Sequence, residues 1–240
     1  MPTARVQQIL LAAGAAERLG TTLPEVLCAA CAAALPVTGV GLILMSDEGP
    51  VGLVAATDGP AATMEELQFT LGEGPCVDAS MGGRPVLQPQ LRMTAPDRWP
   101  GFGPAALDAG IEAIFAFPLQ VGRIRLGVLD LYRDVPGTLT PAELGEALAF
   151  ADAATRVLLH LQDQMPLDAG LHPDLGARAN NRPEVHQATG MISVQAAVGL
   201  TEALLLLRAR AYSSERSILE VARDVVARRL RFPPESEDHD

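Results

Sequence analysis

Cysteine is scarce in this chain, lysine is missing, and long apolar runs do not occur. Three cysteines among 240 residues do not make a disulfide framework. All 18 basic residues are arginine, which points to GC-rich codon usage more than to physics. The longest apolar stretch, Val26 to Leu35, is half of the roughly 20 residues needed to cross a bilayer. The Ile9–Ala16 run behind Arg5 has the look of a signal peptide. Gln7 and Gln8 interrupt it, and Glu17 and Arg18 continue a helical pattern where a cleavage site would stand. The expectation is a cytoplasmic protein with no membrane segment.

What is present is an apolar content sufficient for a core and a lopsided charge. Residues 1–181 hold 10 Arg against 20 acids, residues 182–232 hold 8 Arg against 5, and the last eight residues add 4 acids. An acidic body with a basic end is the asymmetry expected when that end meets nucleic acid.

Helical patterns cover residues 3–20 and 22–35, broken at Gly20 and restarted by Thr22 and Pro24. From Val37 the pattern alternates β-formers around Asp47-Glu48-Gly49-Pro50, a hairpin signal. A short acidic helix near Met64–Phe69 leads into LGEGPCVDASMGGRP. IEAIFAFPLQ and RIRLGVLDLYRD read as two strands separated at Val121-Gly122. A helix then runs from Pro141 to about Gln164, with Thr140 as cap and Glu143 completing a capping box. Leu144, Leu148, Ala151, Thr155, Leu158 and Leu159 line one side of it. Helices around antiparallel hairpins predict an α+β domain over residues 1–165. Residues 166–180, rich in Gly and Pro, read as a linker.

Residues 181–232 read as three short helices. The first starts at Asn181 or Arg182, with Val185, Ala188, Ile192 and Ala196 on one face and Gly190 in mid-helix. That glycine costs about 1 kcal/mol relative to alanine, so a close neighbour or an approaching ligand is expected there. The second is capped by Thr201 and holds Ala203 and Leu204–Leu207, which predicts burial on two sides. The third opens with the Ser217/Glu220 capping box and carries the stripe Ile218, Val221, Ala222, Val225 and Val226. Residues 233–240 form an acidic tail.

Candidate chemistry in the first domain is sparse. Cys76 follows Gly74-Pro75, and a helix opening there would lower its thiol pKa, making it a possible redox sensor or reductase nucleophile. The competing reading is a small residue packing a turn. Cys28-Ala-Ala-Cys31 is spaced like a metal or redox pair, but no further ligands are spaced for zinc, and small core residues explain it better. No metal site and no catalytic residue is expected, and the sequence does not name a cofactor. GEGPC fits neither a P-loop nor a dinucleotide fingerprint. His160 reads as a partly buried polar residue.

Two resemblances add to this. VGLILMSDEG, GLVAATD, LGEGPCVDA, Arg98–Pro100 and FPLQVGRIRLGVLDLYRDVPGTLT, in this order, resemble a GAF domain, a sensory fold with an antiparallel sheet flanked by helices. The Asn-Lys-Phe-Asp-Glu pattern of cyclic-nucleotide GAF domains is not seen. Residues 181–232 resemble an ANTAR domain, the all-α three-helix RNA-binding module of antitermination regulators. Ala188, Gly190, Ala203 and Ala222 match its small positions and Arg208 a basic one, while Thr189 stands where a basic residue is often found. The resemblance implies a signal-responsive antitermination regulator that binds RNA stem-loops as a homodimer coupled through the 141–164 helix. A small-molecule or redox signal would act at the GAF domain. Ala188, Thr189, Gly190, Arg208, Arg210, Arg216, Arg223, Arg228 and Arg231 are the candidate RNA contacts. Arg216, Arg223 and Arg231 fall on one face of the third helix by wheel angle, and pairs Arg216–Glu220 and Asp224–Arg228 are spaced to neutralise it in part. A protein-interaction module without RNA binding is the rival reading. A DNA-binding helix-turn-helix is disfavoured by the apolar opening Ser217-Ile218-Leu219-Glu220.

Overall fold

The computed structural model describes residues 2–16, 21–46, 49–57, 59–165, 172–175, 183–214 and 216–233. The chain divides into two compact units, Met1–Ala179 and Asn180–Asp240.

In the first unit, helices α1 (Pro2–Ala16) and α2 (Leu23–Ala34) precede strands β1 (Gly39–Ser46) and β2 (Gly49–Ala56). Helices α3 (Gly59–Leu71) and α4 (Pro75–Gly82), strand β3 (Val86–Gln88), and helices α5 (Leu91–Arg98) and α6 (Phe102–Asp108) follow. Strands β4 (Ala113–Val121) and β5 (Ile124–Arg133) and the long helix α7 (Pro141–Asp163) complete it. The five strands form one sheet of order β2-β1-β5-β4-β3 with every neighbour antiparallel.

The pleat divides the core into two layers, because successive side chains of a strand point to opposite faces. Leu42 and Leu44 of β1, Phe115 and Phe117 of β4, and Leu129 and Leu131 of β5 pack with α1, α2 and α7. Ile43, Ile114, Val128 and Tyr132 face the other way, among Met64, Cys76 and Phe102 of the shorter helices and Trp99 at the end of α5. The helix starts are set by local chemistry. Thr22 with Glu25 and Thr140 with Glu143 form the capping boxes of α2 and α7, each worth about 1 kcal/mol. Glu73 accepts the backbone N–H groups of Gly101 and Phe102, both at 2.7 Å, and so caps α6 from a distant loop.

Several expectations are revised. The acidic helix near Met64–Phe69 is α3 and extends over thirteen residues. Strand β4 includes Val121, leaving Gly122 and Arg123 as the two-residue turn. The stripe expected on α7 is only in part its buried face: Ala151 and Leu158 are buried, but Leu148 and Leu159 are 46% and 43% exposed, and Phe150, Ala154, Val157 and Leu161 also meet the sheet layer. His160 is exposed and pairs with Gln164 at 2.9 Å. Cys28 and Cys31 are free thiols buried in the core, as small packing residues. The Asp47-Glu48 turn residues, the end of the first predicted helix, most of the 166–180 linker, the Asn181–Arg182 start and nearly all of the acidic tail lie outside the described residues.

The second unit holds α8 (Pro183–Ala196), α9 (Leu200–Ser213) and α10 (Ile218–Val226). Val185, Ala188 and Ile192 of α8, Ala203, Leu207 and Ala211 of α9, and Ile218, Val221, Ala222 and Val225 of α10 are buried. The Ser217/Glu220 capping box is present. Helix α9 instead starts at Leu200 behind Gly199, which gives no side-chain cap, so Thr201 lies inside the helix. Of the four consecutive leucines Leu204–Leu207 only Leu207 is fully buried, and Leu205 is 56% exposed, because the unit offers this helix a single packing side. Among the described residues no single helix is long and apolar enough to cross a membrane.

Candidate functional site

In the first unit, the layer facing α3 and α4 contains a polar cluster that the surrounding apolar side chains seal off. Glu65 and Gln68 reach in from α3, Cys76 from the first turn of α4, and Asp130 and Tyr132 from β5; all five are buried. Tyr132 Oη donates to Glu65 Oε1 at 2.8 Å. Gln68 Nε2 donates to Asp130 Oδ2 at 3.0 Å and to Tyr132 Oη at 3.2 Å, while its Oε1 accepts the Cys76 N–H at 2.8 Å. Two glycines clear the space: a Cβ on Gly41 of β1 would lie 2.0 Å from Glu65 Oε1, and one on Gly74 would lie 2.6 Å from Gln68 Oε1.

Electrostatics follow from this burial. Desolvation pushes the Asp130 carboxyl up to about 7, against the lowering hydrogen bonds from Gln68 and its neighbours. Desolvation first, and the Asp130 charge second, hold the Glu65 carboxyl well above the ordinary carboxylate range. Cys76 does sit in the first turn of a helix. Burial nevertheless drives its thiol well above its ordinary value, with the Asp130 and Glu65 charges adding to the effect. The lowered thiol pKa expected from the helix dipole is therefore reversed, because desolvation outweighs a dipole term of about 1 kcal/mol. Of this cluster the sequence reading found Cys76 alone. Asp130 carried a signal, as a charged residue inside the apolar run Leu126–Tyr132 of a strand.

In the second unit the nine candidate RNA contacts separate into groups. Ala188 and Thr189 are buried, and the Thr189 hydroxyl donates back to the Val185 carbonyl at 2.7 Å, so neither side chain offers a surface contact. Arg208 is half-buried, and burial holds its guanidinium below its ordinary value. Arg216 and Arg223 are exposed but paired: Arg216 with Asp224 at 2.8 Å, Arg223 with Glu184 of α8 at 3.3 Å. Asp224 also holds Arg229 at 2.6 Å, so the neutralising acid serves Arg216 and Arg229, not Arg228 as the spacing suggested. Arg210, Arg228 and Arg231 are exposed and have no ion-pair partner among the described residues. Arg231 lies beyond α10, which ends at Val226, and therefore not on its face.

Arg228 and Arg231 border a groove of about 480 Å³. Its wall is the outer face of α8, with Gly190, Met191 and Val194 between Gln187 and Gln195. Gln195 Oε1 accepts the Phe232 N–H at 2.9 Å and fastens the C-terminal segment beside the groove. Two residues here are not the stable choice for their backbone. Nothing lies within 4 Å of a Cβ placed on Gly190, so the close-packed neighbour expected at this spot is not found among the described residues. Arg228 follows α10 with φ +58°, the left-handed position where glycine is favoured.

The GAF domain profile matches residues 20–158, more than half of the chain. The chain belongs to the GAF domain family. GAF domains are signal-sensing, regulatory domains. Two solved structures show the same fold. The GAF domain of an Acinetobacter phosphoenolpyruvate-protein phosphotransferase is 13% identical, with a TM-score of 0.52 over 69% of this chain and 97% of that one. The corresponding Coxiella burnetii domain is 16% identical, with a TM-score of 0.51 over 68% and 95%. No curated protein matches the chain. The polar cluster therefore lies inside a GAF unit, between its sheet and the helices α3 and α4, and the arginine-bordered groove belongs to the separate helical unit.

Proposed function

We propose that the chain is a signal-responsive regulator in which the GAF unit controls an ANTAR-type helical unit that binds RNA hairpins and acts on transcription termination. The observation that carries this reading is the groove of the second unit. It combines a helical glycine that no packed neighbour among the described residues requires with an arginine held in a backbone conformation that favours glycine. Both depart from stability in the direction that serves a ligand, one by opening space and one by presenting a guanidinium. Guanidinium forks suit phosphates and stack on unpaired bases, and the half-buried Met191 and the exposed Val194 offer apolar surface to a splayed base. The chain acts as a homodimer, for which the exposed Leu148 and Leu159 of α7 in the first unit offer an apolar contact.

The test is binding of the full-length protein to tandem RNA hairpins across a salt series. Log affinity falls with log salt, by about 0.7 per phosphate contact on single strands. The R228E/R231E double variant removes binding while far-UV circular dichroism stays unchanged. Absence of binding at low salt by folded wild-type protein would overturn the reading. It would favour the second one, a protein-interaction module, which the 84% exposure of Val194 and the pairing of Arg216 and Arg223 support. Sedimentation across micromolar concentrations, with and without RNA, tests the dimer; a monomer throughout removes it.

A further inference from the structure

The cluster in the GAF unit has a distribution of hydrogen bonds that its own residues do not complete. Each buried carboxyl group has one oxygen held by a neutral donor: Glu65 Oε1 by Tyr132 Oη, Asp130 Oδ2 by the Gln68 amide. No N–H or O–H of any other described residue reaches Glu65 Oε2 or Asp130 Oδ1, although both residues are at least 99% buried, and the two carboxyls hydrogen-bond each other only with a proton held between them. A carboxyl oxygen sealed from water needs a proton or a cation opposite it. The third polar atom beside them is a sulfur. One carboxyl oxygen from each of Glu65 and Asp130 and the Cys76 Sγ all lie within 4.8 Å of one another.

We propose that Glu65, Cys76 and Asp130 form a binding site for a transition-metal dication of the zinc class. Three atoms no more than 4.8 Å apart fit inside a circle of radius 4.8/√3, so a point about 2.8 Å or less from all three exists. Zinc bonds run at ~2.0–2.2 Å to carboxylate and ~2.3 Å to thiolate. Each ligand therefore closes by about half an ångström or somewhat more, within reach of side-chain torsions. The thiolate selects against magnesium and calcium, which prefer all-oxygen shells. Around the three ligands stands the supporting layer such a site needs. Tyr132 orients Glu65, Gln68 orients Asp130 and fixes the Cys76 backbone, and Gly41 and Gly74 leave room for both. Binding displaces the thiol proton and the protons held by the carboxyl groups to solvent, and the dication offsets three buried negative charges to leave one. Three protein ligands leave one tetrahedral position open.

This site stands or falls separately from RNA binding, since it lies wholly in the GAF unit. The experiment uses the full chain, stripped with a chelator and titrated with Co²⁺ and then Zn²⁺. The expected result is one equivalent of Co²⁺ giving a thiolate-to-cobalt charge-transfer band in the near ultraviolet, bleached by one equivalent of Zn²⁺. The C76S variant loses the band, the C28S/C31S variant keeps it, and E65Q and D130N each weaken affinity at least tenfold. The two amide variants replace buried acids by neutral isosteres and so retain the fold, which circular dichroism checks. Folded wild-type protein that gives no stoichiometric band, or a band that survives C76S, would overturn the assignment.

Discussion

Gly190 and Arg228 allow stability and ligand recognition to be separated by two substitutions expected to strengthen the fold. Gly190 lies in the middle of α8 with open space around its missing side chain, so Gly190→Ala brings no clash. It removes the entropic penalty of a helical glycine, worth about 0.4–1 kcal/mol. Arg228 sits at φ +58°, where an L side chain costs about 1–2 kcal/mol, and Arg228→Gly relieves most of that. For a unit of this size, 1 kcal/mol raises the melting midpoint by about 4–8 °C. The assay is thermal unfolding followed by two probes. Trp99, the single tryptophan, is buried in the GAF unit and reports that unit alone, whereas far-UV circular dichroism follows both. Each variant raises the second-unit midpoint, leaves the Trp99 transition in place, and weakens RNA binding. A lower midpoint for Gly190→Ala would mean that packing, such as a second copy against α8, demands the bare position. Higher midpoints with unchanged RNA affinity would refute the reasoning that the groove is the contact surface.

Three further outcomes follow from the geometry. Gly41→Ala drives a methyl group into the Glu65 carboxyl, breaking its hydrogen bond with Tyr132 and costing about 1–3 kcal/mol, which urea unfolding read at Trp99 measures; an unchanged midpoint would show the cluster tolerates displacement. All three cysteines resist a disulfide reagent at neutral pH in the folded protein and react together on unfolding, because Cys28, Cys31 and Cys76 are fully buried; one fast thiol in the native state contradicts this. Asp224, Glu220 and Glu184 all have carboxyls below their ordinary values, held there chiefly by hydrogen bonds: from Arg216 and Arg229 for Asp224, from the Ser217 backbone for Glu220, and from a backbone N–H and Arg223 for Glu184. Their contribution is complete above about pH 5 and is lost as pH falls below about 4 through these depressed values, so the hydrogen-exchange protection factors of α10 amides fall on acidification; protection factors that stay flat to pH 3 count against it.

Much of the first unit was legible because its signals are local. Thr140, Pro141 and Glu143 mark the start of α7, and the two strands of the β4–β5 hairpin are apolar runs on either side of a glycine turn. Helices α5 and α6 and strand β3 were missed for physical reasons. Pro96 lies inside α5, α6 is capped by Glu73 from elsewhere in the chain, and β3 is a three-residue edge strand with no period to read. The arginines of the second unit were identifiable by type but not by partner. Asp224 collects Arg216 and Arg229 across the helix end, a geometry that i,i+4 counting cannot reach.

The polar cluster was illegible for a deeper reason. Its members stand at positions 65, 68, 76, 130 and 132, so no spacing rule for a metal or catalytic motif applies. Sheet order brings them together: β1 and β4 flank β5, and α3 and α4 cross the same face. The pleat then decides which residues of β5 take part. Val128, Asp130 and Tyr132 turn toward α3 and α4, while Leu129 and Leu131 turn into the layer packed by α7. A shift of one residue in register would exchange these sets, placing the Asp130 carboxyl among Phe150, Val157 and Leu158 with no donor nearby and two leucines against Gln68. The same hydrogen bonds that serve the cluster therefore help hold β5 in register, and the apolar face behind it keeps the long helix seated on the sheet.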